Sequence, residues 1–119
     1  MATDDFCYLT TNGRRSGRPH RIEIWYGRDG DTLYLMSGGQ RRSDWVQNLI
    51  ADPAVTVELD GAVHTARARL LEGGEGAASA VAAEAERART LVFDKYAPRY
   101  PEDLTEWRAR ALPIAIDLK

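Results

Sequence analysis

The dipeptide Asp60-Gly61, set between the runs 54–59 and 62–70, limits what this chain can fold into more than any other feature. Asp-Gly favours the two-residue turn whose backbone twist matches that of flanking antiparallel strands. Ala54-Val55-Thr56-Val57-Glu58-Leu59 and Ala62-Val63-His64-Thr65-Ala66-Arg67-Ala68-Arg69-Leu70 are therefore read as a β-hairpin. The same punctuation recurs earlier, at Asn12-Gly13 and Asp29-Gly30-Asp31. It bounds a β-prone run over 6–11, an alternating run over 21–26 and a third strand over 32–36. The last two are expected to pair as a hairpin around residues 29–31, and residues 113–118 read as a closing strand.

Helices are expected between the strands. Ser37-Gly38-Gly39-Gln40 breaks the third strand, and Ser43 suits an N-cap with Asp44 in the first turn. Trp45, Val46, Leu49 and Ile50 then recur at helical spacing until Asp52-Pro53 stops the pattern. Gly73-Gly74-Glu75-Gly76 ends the strands. The Ala-rich stretch 77–96 reads as a helix with Val81, Ala85, Ala88 and Val92 on its buried face. Glu84/Arg87 and Glu86/Arg89 are spaced to pair on its outer face, with Glu84, Arg87 and Glu86 pointing outward. A turn of helix is expected over 103–110. The whole is mainly β with inserted helices: five or six antiparallel strands in a small barrel or curled sheet, as one domain over 1–119.

Composition excludes several classes. No apolar run approaches the roughly 18 residues a membrane-spanning helix needs. Residues 1–5 are acidic with no apolar stretch behind them, so no secretory signal is read and a cytoplasmic setting is expected. Cys7 is the sole cysteine, which rules out an intrachain disulfide and leaves no Cys/His metal cage. The net charge of −2 gives no pull toward nucleic acid or anionic membranes.

The distribution of charge says more than its sum. Lys+Arg number 16, and all but Lys95 and Lys119 are arginine. Arg14, Arg15, Arg18 and Arg21 lie within eight residues that contain no acid, and Arg41-Arg42 form a second pair. The loop Gly13-Arg14-Arg15-Ser16-Gly17-Arg18-Pro19 suits an anion, because guanidinium forks pair with phosphate or carboxylate oxygens and glycines admit backbone N–H groups. It is neither a Walker loop nor a dinucleotide fingerprint. A solvated hairpin loop has the same composition, and the loop alone does not choose between them. Ser37-Gly38-Gly39 ahead of a helix start can likewise aim N–H groups at a ligand, or simply connect strand to helix.

Trp25, Tyr26, Trp45, Tyr96, Tyr100 and Trp107 are candidates to line a flat-ring pocket, against the ordinary alternative of core packing. An exposed Trp107 or Tyr100 would also suit a dimer face. His20 and His64 stand apart without a carboxylate motif, and Ser16 and Ser37 lack a G-x-S-x-G context, so side-chain covalent chemistry has no basis here. An enzyme built on this chain would rely on a cofactor.

Taken in order, these pieces resemble one family. The run Tyr8-Leu9-Thr10-Thr11-Asn12-Gly13-Arg14-Arg15-Ser16-Gly17-Arg18-Pro19 is similar to the Thr-Thr-x-Gly-Arg-Lys-Ser-Gly-x-Pro signature of the deazaflavin (coenzyme F420)-dependent nitroreductases and quinone reductases. Ser37-Gly38-Gly39, Asp44-Trp45-Val46-Gln47-Asn48-Leu49 and Asp52-Pro53-Ala54-Val55-Thr56-Val57 resemble the next block at similar spacing. The resemblance covers about residues 6–70 and implies an antiparallel split β-barrel of the FMN-binding-like superfamily.

It further implies a reductase that passes a hydride from reduced F420 to a quinone, nitro compound or enone. Carried over residue by residue, Arg14, Arg15, Ser16 and Arg18 take the cofactor's phosphate and oligoglutamate tail. Ser37, Gly38, Gly39, Trp45 and Asn48 take the ribityl chain and ring. Tyr26, Ser37, Tyr96 and Tyr100 are the side chains able to orient an acceptor or assist its protonation. No metal is implied, and a homodimer is an assembly that related barrels adopt. Two readings compete: the same barrel with FMN as cofactor, and a non-catalytic protein that binds or carries a flavin or deazaflavin.

Overall fold

A computed structural model describes residues 6–72 and 79–119. Seven strands are described: β1 (Cys7–Asn12), β2 (Pro19–Ile24), β3 (Gly27–Asp29), β4 (Thr32–Ser37), β5 (Ala54–Leu59), β6 (Ala62–Leu70) and β7 (Leu112–Leu118). Three α-helices accompany them: α1 (Asp44–Ala51), α2 (Ser79–Tyr96) and α3 (Thr105–Arg110). All strand pairings are antiparallel, in the order β2-β1-β5-β6-β7-β4-β3.

That order dictates a curled sheet. Laid flat, seven strands would hold their edges about 29 Å apart, six spacings of about 4.8 Å. Yet the edge strands β2 and β3 are joined only by Trp25 and Tyr26. Three steps of extended chain from Ile24 to Gly27 span at most about 11 Å. The sheet therefore wraps until its edges meet at Trp25-Tyr26, which is a split barrel.

This corrects the expected hairpin between 21–26 and 32–36. β2 pairs with β1, register Cys7↔Ile24 through Asn12↔Pro19. The Asp29-Gly30-Asp31 turn instead serves the three-residue β3, which pairs with β4 and raises the strand count above the expected five or six. The Asp60-Gly61 hairpin forms as read, both residues having positive φ (53° and 81°), the requirement of the tight turn that joins β5 to β6.

Inside the barrel, Leu9, Leu33, Leu35, Val57, Ile114 and Ile116 are fully buried, and Val46 and Leu49 of α1 join them. Ile50, expected on that helix face, is 44% exposed, and Asn48 is buried in its stead. A second cluster forms where α2 covers β3, β4 and β7 from outside: Ala85, Ala88, Val92 and Tyr96 pack on Tyr34, Met36 and Ala115. β4 and β7 thus read as nearly unbroken apolar runs because both their faces are covered. Val81 is only half-buried, and Tyr96 completes the stripe. Ala77, Ala78 and the Gly73-Gly74-Glu75-Gly76 strand stop lie outside the described residues.

Glu84 does not point freely outward as expected. It accepts the Tyr34 hydroxyl at 2.8 Å and both terminal nitrogens of Arg69 at 2.9 Å. Arg69 also holds Asp117 of β7, which takes the Thr32 hydroxyl at 3.0 Å. Glu86 reaches Arg108 of α3. The carboxylates of α2 thus bind the helix to its surroundings. No described helix is long and apolar enough to cross a membrane.

Candidate functional site

Two clusters gather the candidate residues, one at each end of the segment from Ser37 to Asn48. The first is the basic loop. Gly17 N–H donates to Gly13 O at 2.8 Å, a single helical turn, and Gly17 reverses the chain at φ 72°. Gly13 N–H in turn donates to Arg18 O at 2.8 Å, and the Ser16 hydroxyl accepts Arg18 N–H at 3.1 Å. The loop is closed on itself, and a concave site opens beside it, lined by Gly13, Arg14, Arg15, Ser16, His20, Asp44 and Asn48.

The four arginines are not equivalent. Arg14 donates to Asn48 Oδ1 and to the backbone and carboxylate of Asp44. Arg21 pairs with Glu58 at 3.3 Å and lies 4.0 Å over the Tyr8 ring. Acids distant in sequence therefore reach two members of the acid-free stretch. Arg15 and Arg18 are exposed and have no carboxylate partner among the described residues. The N–H groups of Arg15 and Ser16 lack an acceptor among those residues too, as expected for the inside of a single turn.

Asn48 ties this loop to α1. It is buried (1% exposed), accepts Arg14 N–H and Nη1, and donates to Thr11 Oγ1 at 3.1 Å. Trp45, one turn earlier, packs partly buried on the barrel core.

The turn after β4 is held by hydroxyls. Ser37 is buried, donates to Gln40 O at 2.9 Å, and lies 2.8 Å from Ser43 Oγ. Ser43 occupies the N-cap position of α1, but its hydroxyl makes no capping bond, having been drawn to Ser37. A Cβ on Gly39 would stand 2.5 Å from Ser43 Oγ, so any larger residue there must turn that hydroxyl away from Ser37. Gln40 carries the positive φ of the turn, 56°, and its side chain donates to Arg110 O at 2.8 Å.

The second cluster is aromatic. Trp25 stacks on Tyr96 at 4.4 Å, with Tyr100 tilted at 4.7 Å and Trp107 edge-on at 5.5 Å. Tyr96 is buried, and its oxygen accepts Tyr26 N–H at 3.0 Å while donating to Tyr26 O at 3.3 Å. Burial pushes its phenol well above the ordinary range. Tyr26 is buried as well, with Lys95 Nζ 3.5 Å over its ring. Burial likewise pushes the nearby Cys7 thiol up to about 12, so it is no nucleophile. Trp107 and Tyr100 are half-buried in this cluster.

Of the four residues read as acceptor-facing, Tyr96 and Tyr100 share the second cluster, the Tyr26 side chain packs in the barrel core with only its backbone bonded to Tyr96, and Ser37 is committed to its own turn. Only the Tyr100 hydroxyl is half-buried and without a hydrogen-bond partner among the described residues. Sequence reasoning missed Asp44 as the partner of Arg14, and Lys95 under Tyr26. The second had one faint signal, a lysine in a chain that otherwise uses arginine. Among the described residues, no three His, Cys, Asp or Glu side chains are placed to hold a metal.

Comparison with known proteins adds the family. The family model of the F420H(2)-dependent quinone reductases matches residues 1–119. An F420-H2 dependent reductase, FDR-A, superposes with a TM-score of 0.69 at 22% identity, over 97% of this chain and 94% of its own. A structure described as a domain-swapped dimer gives 0.70 at 23% identity, over 97% and 80%. An FAD-binding protein from Mesorhizobium loti gives 0.67 at 18% identity, over 97% and 81%. At these identities the three structures share the fold.

Proposed function

Because this chain belongs to the F420H(2)-dependent quinone reductase family over its whole length, we propose a specific division of labour between its two clusters. The protein is an F420-dependent reductase, and coenzyme F420 is its cofactor. In our reading the acceptor is a small quinone, nitro compound or enone, taken at the aromatic cluster, and the cofactor's anionic tail lies on the basic loop.

The donor set fits such a tail. Arg15 and Arg18 are uncommitted, two N–H groups of the 13–17 turn are open, and the Ser16 hydroxyl can still donate. Arg14 and Asn48 position the loop against α1. The glycine turn, with Ser37, Gly38 and Gly39, and Trp45 of α1 lie between the two clusters, where the ribityl chain and ring would run. The observation that carries this reading is the exposed Arg15, without a carboxylate partner among the described residues, on the wall of a concave site, with the exposed Arg18 in the same loop.

When bound, the reduced deazaflavin supplies the hydride. Two-electron reduction of a quinone also consumes one proton, and the chain can help deliver it. Tyr96 and Ser37 have committed hydroxyls, and Tyr26 is buried; these three shape the site. Tyr100 has the free hydroxyl and is the side chain to orient the acceptor oxygen or pass it a proton. General-acid help is worth about 10²-fold or more. Anaerobic oxidation of F420H2 by menadione, followed by the return of deazaflavin absorbance, tests the reading. Turnover should fall about 10²-fold in Tyr100→Phe without vanishing; no turnover by the wild type with any quinone, nitro compound or enone would refute it.

A homodimer and a cytoplasmic setting belong to the same proposal. A reducing compartment suits a lone thiol.

A further inference from the structure

We propose that Trp107 orients the acceptor: its indole N–H binds an oxygen of a neutral, planar acceptor seated in the cavity between Gly38 and Trp107. The inference rests on the reductase reading above. It starts from a juxtaposition that neither the loop nor the tyrosines explain, since Trp107 joins the glycine turn to the aromatic cluster.

The joining is close. A Cβ on Gly38 would lie 3.3 Å from Trp107 Nε1 and 3.5 Å from Cδ1. Glycine at 38 therefore leaves the indole N–H uncovered, and that N–H has no acceptor among the described residues. A cavity opens at this edge, lined by Gly38, Asp103, Glu106, Trp107, Arg110 and Ala111. On its other side the indole meets Trp25, which touches Tyr100 and Tyr96.

The indole is also held in place. A six-residue helix has little stability alone, yet α3 is bound at both flanks. Arg89 donates to Arg108 O at 3.1 Å and to Ala111 O at 3.4 Å, and Gln40 donates to Arg110 O. Arg108 reaches back to Glu86 and to Thr90. Trp107 thus keeps one orientation relative to Gly38.

The chemistry selects the ligand. An indole N–H is an uncharged donor that accepts nothing, so it favours a carbonyl or nitro oxygen over an amine. Asp103 and Glu106 on the cavity wall outnumber Arg110, which is paired with Glu106 at 2.8 Å. That balance disfavours acceptors carrying a carboxylate or sulfonate near the ring. Neutral quinones and nitroaromatics fit; their anionic analogues do not.

The test is an indole ¹⁵N–¹H spectrum titrated with menadione, on the protein alone and on the protein saturated with oxidised F420, where no turnover occurs. The three tryptophans give three cross-peaks, and Trp107→Phe assigns one. That peak should move saturably in at least one of the two titrations. In turnover, Trp107→Phe should raise the KM for menadione about tenfold with the F420 Kd unchanged, the loss of one hydrogen bond. Gly38→Ala, which covers the N–H while keeping the ring, should raise the KM for menadione as well. In the wild type, 1,4-naphthoquinone-2-sulfonate should show the higher KM. A Trp107 peak unmoved in both titrations, or an unchanged KM in both variants, overturns the proposal. Because the titration of the protein alone needs neither cofactor binding nor turnover, it decides this point even if the reductase reading fails.

Discussion

Asn48 Oδ1 accepts both the backbone N–H of Arg14, at 3.2 Å, and its guanidinium Nη1, at 2.9 Å. One buried amide thereby fixes the first arginine of the basic loop to α1, and its own N–H goes to Thr11 of β1. The loop is presented by the barrel and does not float on it.

Removing that amide should separate positioning from binding. Asn48→Ala leaves Thr11 and Arg14 short of partners and should cost about 1–3 kcal/mol of stability, with weaker F420 binding as the loop loosens. Arg15→Ala should weaken F420 binding with its melting temperature unchanged. Thermal unfolding beside cofactor titration checks the contrast; equal melting temperatures for the two variants would deny Asn48 its role.

Gly39 is expected to matter first for folding. Its Cβ position lies 2.5 Å from Ser43 Oγ, so Gly39→Ala must displace the hydroxyl that faces Ser37. Gly39→Ala should lower the melting temperature, and the loss should shrink in a Ser43→Ala background, since residues in contact do not add. Additive effects would show that the two sites are independent.

How much of this was legible in the sequence follows from the range of each interaction. The Asp60-Gly61 hairpin, the helix over α1 and the basic loop rest on neighbours in the chain, and they form as read. The pairing of β2 with β1 was not legible, because the runs 21–26 and 32–36 look like hairpin partners when only the turn between them is visible. Arg14 looked free because Asp44 lies thirty residues away, and Glu84 looked solvated because Arg69 and Tyr34 reach it only through the barrel. The contact between Trp107 and Trp25 was not legible either, because 82 residues separate them. Periodicity locates faces; it does not say which charged side chains meet across them.

The α2 face distinguishes these cases by mutation. Val92 is fully buried, and Val92→Asp should cost about 4 kcal/mol or more by stranding a charge in the second cluster. Glu84→Ala should lower the melting temperature measurably by opening the Arg69 network, whereas Glu86→Ala, which loses one exposed pairing with Arg108, should lower it less. Denaturant unfolding of the three variants checks the order; an effect of Glu84→Ala no larger than that of Glu86→Ala would contradict it.

Acid should weaken the same network. The Arg69 guanidinium holds the carboxyls of Glu84 and Asp117 below their usual values. Both are lowered on folding, so their contribution is complete above the ordinary carboxylate range and is lost as pH falls through the depressed folded values. The melting temperature of the wild type should therefore drop more steeply below about pH 4.5 than that of Arg69→Met. Parallel acid limbs for the two proteins would exclude the network as their cause.

The most direct measurement is a titration of the protein with oxidised coenzyme F420, repeated with FMN, at low and high salt, for the wild type and for Arg15→Ala/Arg18→Ala. Charge-assisted contacts are worth roughly 1.5–3 kcal/mol each. The expected result is saturable F420 binding, tighter than FMN, that weakens with salt and falls by about tenfold or more in the double variant. Binding of FMN in preference to F420, or F420 binding indifferent to both salt and the two arginines, would contradict the assignment of the basic loop to the cofactor's tail.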